Sequence, residues 1–254
     1  MPDDSHVALV GVRMAFGDRE VFRNLSCAFP RGKISVILGG SGSGKSTILR
    51  LIGGLVRPQA GQILVEGEDI TRLSEHRLYD VRRKIGMMFQ GGALLDSLTV
   101  FDNLAFPLRE HTSMSEAEVA DAVHAGLEAV GLSDADALLP GQLSGGMLKR
   151  AALARAIIRK PVILLCDEPF SGLDPVSVKL IAALLVRLNR RLGCTMLVVS
   201  HHIVTTMRMS DRVVLLLPHG KVEGTPAELS RSTDERVSGF LHEDPGELLT
   251  AGAG

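Results

Sequence analysis

Apolar residues recur along this chain with two different periods, and the places where the period changes divide it. In the first part they form short runs, residues 6–12, 21–29 and 33–38, rich in β-branched and aromatic side chains and broken by Phe16-Gly17-Asp18 and Pro30-Arg31-Gly32. Runs of that length bounded by turn residues predict strands joined by tight turns. Ile48, Leu49 and Ile52 then show helical spacing until Gly53-Gly54 and Pro58 stop it, and short strands are expected at 62–66 and 85–89. From Gly91 to about Pro140 the period becomes that of helices. Ser115 and Glu118 have the spacing of a capping box, Val119, Val123, Leu127 and Val130 follow on one face, and Gly131 supplies a stop. An earlier helix starts near Thr99 and is expected to be cut short by Pro107. Another should run from Gly146 to Lys160, stopped by Pro161.

Alternation resumes beyond Pro161, with strands at 162–166, 195–200 and 212–217, a helix over 175–192 and a short helix after Ser200. Strands alternating with helices predict a mostly parallel sheet covered on both faces. A short helix fits 226–230, and residues 243–254, with Asp244-Pro245-Gly246 and a small-residue tail, are expected to form a poorly packed extension. The predicted organisation is an α/β core made of residues 1–90 and 161–225, an inserted helical subdomain over 91–160, and a C-terminal extension over 226–254.

Charge and cysteine content narrow the class. With 28 basic and 29 acidic residues the net charge is -1, so no basic surplus argues for a nucleic acid partner. Cys27, Cys166 and Cys194 are far apart and form no C-x-x-C pair, which suits a reducing compartment and argues against a structural metal. The first six residues are short and polar, unlike a signal peptide, and no apolar run approaches the eighteen or so residues of a membrane helix. Any membrane span would come from another chain.

The chemistry concentrates in Gly39-Gly40-Ser41-Gly42-Ser43-Gly44-Lys45-Ser46-Thr47, between a predicted strand and a predicted helix. That is the context a phosphate loop needs: glycines let successive N–H groups turn inward, and the helix adds the positive end of its dipole. Lys45 would reach the outer phosphates of a nucleotide and the Ser46 hydroxyl would hold Mg²⁺. Asp167 and Glu168 leave the apolar run 162–166 at its carboxyl end, where open parallel sheets bind ligands. There Asp167 can hold Mg²⁺ and Glu168 can polarise an attacking water.

Together with Leu143-Ser144-Gly145-Gly146, these features resemble the ABC transporter ATPases over residues 7 to about 225. Alone, that tetrapeptide would be a helix cap, since a serine and two glycines at a helix start present bare N–H groups. The resemblance implies a phosphate-loop (RecA-like) α/β core with an N-terminal antiparallel β part, and ATP held with Mg²⁺ between two copies of the chain. Ser144, Gly145 and Gly146 of one copy would then contact the nucleotide of the other. It further implies that Gln90 touches Mg²⁺ and the attacking water, that Ser171-Gly172-Leu173-Asp174 crosses the dimer interface, and that His201 contacts the γ-phosphate. His202 stands where the family often has Asp, and position after the strand favours His201. Phe16 matches the family's adenine-stacking aromatic, usually Tyr, for which a ring face suffices; the other reading is a core Phe in a turn-flanked strand.

Residues 85–110 and the signature ending Gly146-Met147 look like the Mla-type ATPases of phospholipid transport. That likeness implies an integral-membrane permease, further lipid-transport subunits and a place on the cytoplasmic face of the bacterial inner membrane. Leu94, Leu95 and Leu98 would suit a groove for a partner helix or this subdomain's own core. An importer of amino acids or metals shares the catalytic motifs and differs only after Gln90. A soluble ABC protein acting on DNA or ribosomes usually has a long coiled-coil insertion or two cassettes, and a phosphate-loop kinase has no use for the signature.

Overall fold

The computed structural model describes residues 5–218 and 220–242 and begins with a long hairpin; the expected extension over 243–254 lies outside the described residues. Strands β1 (Ser5–Phe16) and β2 (Arg19–Pro30) pair antiparallel, with Phe16 opposite Arg19. Strand β3 (Ile34–Gly39), buried at every residue, enters the phosphate-loop sequence and helix α1 (Lys45–Ile52). Strand β4 (Ala60–Val65) returns beside β1 and takes the short β5 (Glu68–Asp69) as its neighbour, completing an antiparallel sheet in the order β2-β1-β4-β5. Helix α2 (Glu75–Arg83) leads to β6 (Ile85–Met88). Neither β5 nor α2 shows in the apolar pattern, because β5 has two residues and α2 buries only Leu78 and Val81.

Three helices follow: α3 (Val100–His111), α4 (Glu116–Ala129) and α5 (Gly145–Ile157). Pro107 does not cut α3 short. Its missing N–H deprives the carbonyl of Asn103 of a helical partner, yet Val100, Leu104, Ala105 and Leu108 continue one buried face across it, and both N–H and Oγ of Thr112 close the far end on the carbonyl of Leu108. Packing outweighs the proline penalty here. The buried Asn103 side chain accepts from the N–H of Leu95 at 2.7 Å and donates to the carbonyls of Leu95, Leu98 and Thr99, which pins residues 95–99 onto α3. Helix α5 ends at Ile157 rather than Lys160, since Lys160 precedes Pro161, is thereby disfavoured from helical geometry, and takes φ 50°.

The Ser115–Glu118 capping box forms as expected, with the Glu118 carboxylate accepting from the N–H of Ser115 at 2.7 Å and the Ser115 hydroxyl accepting from the N–H of Glu118. Ser115→Ala should therefore lower unfolding free energy by about 1 kcal/mol without altering the fold, measured by urea denaturation at constant slope.

The remaining elements alternate: β7 (Ile163–Asp167), α6 (Pro175–Leu192), β8 (Thr195–Val199), α7 (Ile203–Met209), β9 (Arg212–Leu217), β10 (Gly220–Gly224), α8 (Pro226–Ser230) and α9 (Glu235–His242). The second sheet runs β10-β9-β3-β8-β7-β6, parallel except at β10. Its central strands β3, β7 and β8 are buried at every residue, so they read as continuous apolar runs. Successive residues face opposite sides. Val36, Leu38, Leu164, Cys166, Met196 and Val198 pack with the helices α3 to α6, while Ile37, Ile163, Leu165, Leu197 and Val199 pack with α1 and the antiparallel sheet. The parallel sheet thus separates two cores and holds its strand ends fixed between them.

Candidate active site

Four parallel strands end along one edge of this sheet in the order β3-β8-β7-β6. Their carboxyl ends deliver, side by side, the loop after Gly39, the turn with His201, the pair Asp167-Glu168, and Gln90. A cavity of about 720 Å³ opens there, and Gly39, Gly40, Ser41, Gly42, Gly44, Lys45, Ser46 and Thr47 form one wall. Phe16, Gln90, Glu168 and His201 complete much of the rest.

Two of the loop glycines are there because no side chain fits. A Cβ on Gly39 would stand 2.9 Å from the carbonyl of Leu216, and one on Gly44, at φ 95°, would stand 2.5 Å from the ring of Phe22. Lys45 Nζ donates to the carbonyls of Gly39 and Gly40 at 2.8 and 3.0 Å, so its ammonium lies folded over the loop. Burial lowers its pKa, against the pull of Glu168 and Asp167, which favour the charged form. Ser43 departs from its neighbours: its hydroxyl is buried without a hydrogen-bond partner, and the residue lines a second cavity of about 550 Å³ behind the loop.

The Ser46 hydroxyl donates to Asp167 Oδ1 at 2.8 Å. A hydroxyl and a carboxylate meeting at the mouth of the loop, with the amide side chain of Gln90 on the same cavity, form an all-oxygen donor set of the kind Mg²⁺ takes. Glu168 is only 8% exposed, has φ 48°, and its Oε2 lies 2.8 Å from His201 Nδ1. A carboxylate paired with an imidazole at the end of a phosphate loop can orient a water and accept its proton. Between the two neighbouring histidines, His201 lines the cavity, whereas His202 caps α7 and sets its ring edge-on against Phe170. Burial, followed by the nearness of His201, lowers the pKa of His202.

Ser144, Gly145 and Gly146 are not brought to this cavity. Ser144 caps α5 through the N–H of Met147, Gly145 lies beside Leu173, and Gly146 lies against Ser177 at the start of α6. Ser144 and Gly145 are exposed, with the bare N–H groups of a helix start facing outward. Leu94 packs against the core while Leu95 is exposed.

Four lining residues went unpredicted: Arg19, Val21, Ile203 and Phe240. The hairpin turn at Gly17-Asp18 carries a readable signal for Arg19, because a two-residue turn after Phe16 returns the next residue to the same end; Arg19 donates to the carbonyl of Gly42 at 3.0 Å. Phe240 comes from α9, where Val237, Phe240 and Leu241 at helical spacing signal the helix but not its reach to the cavity.

The family model described as ABC transporter matches residues 22–171. The intermembrane phospholipid transport system ATP-binding protein MlaF of Haemophilus influenzae is 47% identical over 226 residues, 89% of this chain and 86% of that one. Its namesake in Escherichia coli K12 is 46% identical over 226 residues, covering 89% and 84%. Among solved structures, the dimeric post-hydrolysis state of the ATP-binding cassette MJ0796, bound to ADP and Pi, superposes with a TM-score of 0.79 at 32% identity, over 87% of this chain and 98% of that one. With the phosphate loop, the two carboxylates and the outward-facing signature on one scaffold, and relatives this similar along most of its length, the chain belongs to the ABC transporter family as an ATP-binding subunit.

Proposed function

We propose that this chain is the ATP-hydrolysing subunit of a bacterial phospholipid transporter, working as a head-to-tail dimer beneath an integral-membrane permease. The observation that carries the reading is the division of the motifs: Lys45, Ser46, Glu168, Gln90 and His201 line one cavity, with Asp167 buried behind its wall and bonded to Ser46, while Ser144, Gly145 and Gly146 lie apart from it. A second copy placed head to tail would bring its signature to that cavity, completing two sites at once.

In the site so assembled, the N–H groups of residues 40–47 and the Lys45 ammonium hold the phosphates of ATP, Phe16 offers a ring face to the adenine, and Ser46, Asp167 and Gln90 hold Mg²⁺. Bound Mg²⁺ neutralises charge that develops on the phosphate oxygens. Glu168 takes a proton from the attacking water as its oxygen bonds the γ-phosphorus and the bond to the bridging oxygen breaks, releasing ADP and phosphate. His201, held by Glu168, donates toward the γ-phosphate. The partner's Ser144 and the start of α5 add donors to the same charge, so hydrolysis waits on dimer closure. Residues 1–90 and 161–225 would move as the nucleotide-binding core, and 91–160 as the unit that carries the signature.

No described helix is long and apolar enough to cross a membrane, so the span is assigned to the permease, with the chain on the cytoplasmic face of the inner membrane. The lipid cargo and further lipid-transport subunits are proposed from the printed names of the two MlaF relatives. Purifying the full chain with its partners from membranes tests this: co-purification of a multi-span permease with bound phospholipid is expected, and a permease for amino acids or metal ions in its place would overturn the cargo.

A further inference from the structure

Lys149, in the second turn of α5, is 5% exposed and carries its charge into the interior. A buried ammonium is strongly destabilising unless fixed acceptors replace its water. Its Nζ has three: the carbonyl of Gln90, the carbonyl of Glu168 at 3.2 Å and the Ser171 hydroxyl at 3.0 Å. These lie on two loops, one after β6 and one after β7, and each loop supplies a side chain to the cavity. The hydroxyl and N–H of Ser171 also donate to the carbonyl of Glu168, at 3.0 and 3.2 Å, so three donors converge on one oxygen. Glu168 needs such restraint, because a glutamate at φ 48° is strained and holds that backbone only where its surroundings fix it.

Helix α5 grips the first of these loops again further along. Arg155 donates to the carbonyls of Ala93 at 2.7 Å and Gly92 at 3.2 Å, and Leu148 and Ala152 border Gly92. One helix therefore begins with the signature, which faces outward, and continues into the groups that fix the backbone of Gln90 and Glu168 in its own site.

We propose that Lys149 is a positioning residue for ATP hydrolysis: its ammonium binds the signature-bearing helix, the Gln90 loop and the Glu168–Ser171 turn into one body, so that signature docking on one nucleotide sets the hydrolytic geometry around the other. This rests on the reading of the cavity as the hydrolysis site. Burial lowers the pKa of Lys149, while Glu168 and Asp167 favour its charged form.

The test uses the full-length chain, with Lys149→Met, which keeps the stem and removes the donors, and Lys149→Arg, which keeps donors and charge. Mg-ATP affinity of Lys149→Met should stay within about twofold of wild type while single-turnover phosphate release slows by about tenfold or more, and Lys149→Arg should recover most of that loss. Amide hydrogen exchange should quicken by about tenfold over residues 89–93 and 168–172 and stay unchanged in β3 and α1. A lysine that served only stability would lower the folded fraction and leave release per folded molecule unchanged, and that result overturns the proposal. So does wild-type exchange over both segments. If Lys149→Met does not fold, Lys149→Gln, with fewer donors on a shorter stem, goes through the same exchange measurement. Unaltered turnover in Glu168→Gln would instead sink the hydrolysis site itself, a failure that the exchange data do not share.

Discussion

Phosphate release by the Glu168→Gln chain should fall about a hundredfold or more while Mg-ATP is still bound, and the protein should accumulate as a nucleotide-sandwiched dimer. The carboxamide has the size of the carboxylate and keeps an oxygen for the 2.8 Å contact with His201, so the site's shape survives. It cannot take a proton from water, and that alone removes the general base. It also removes one negative charge from a nearly buried position, 8% exposed, which faces the phosphates once ATP is in place. Repulsion between carboxylate and γ-phosphate is thereby lifted and the closed form persists. The checks are a phosphate-release assay and light scattering with ATP present. Turnover near that of the unmodified chain would take Glu168 out of the role.

Lys45→Ala should weaken Mg-ATP binding on the order of a hundredfold, about 2.8 kcal/mol, as expected for losing a charge-assisted contact in a partly desolvated loop. The fold should persist, since Nζ serves only the carbonyls of Gly39 and Gly40, both at the cavity wall. Titration calorimetry on the chain and on Lys45→Met, which keeps the stem, separates lost charge from lost packing; undiminished affinity in both would remove the lysine from the phosphate cradle. The pH dependence has a definite sign. Burial holds Lys45 below the usual lysine range, so its charge is lost at a lower pH than that of an exposed lysine. ATP bound to the loop favours the charged form, and affinity should therefore fall as pH rises through that lowered value.

Much of this site was legible because its pieces are contiguous. A strand, a five-residue loop and a helix start appear in order in the chain, and Asp167 and Glu168 close a run too apolar to be anything but a buried strand. Residue spacing does not encode which strands are neighbours. That β8 lies between β3 and β7, so that His201 reaches Glu168, is a property of the sheet. Helix α9 is short, and although Val237, Phe240 and Leu241 stand at helical spacing in it, that Phe240 reaches the cavity follows only from the fold. Lys149 reads as one more charge on a helix until its three acceptors are seen. Pro107 was misread because a local rule met a buried face that continued past it.

The strand order also governs how the polypeptide is born. Both neighbours of β3 lie beyond residue 194, so Ile34–Gly39 leaves the ribosome with two open edges and two apolar faces. At about 5–20 residues per second, translation needs roughly ten to thirty seconds to reach the first of those neighbours. For that interval the phosphate loop has no rigid strand behind it, and the nascent chain is most exposed to chaperone capture and to aggregation.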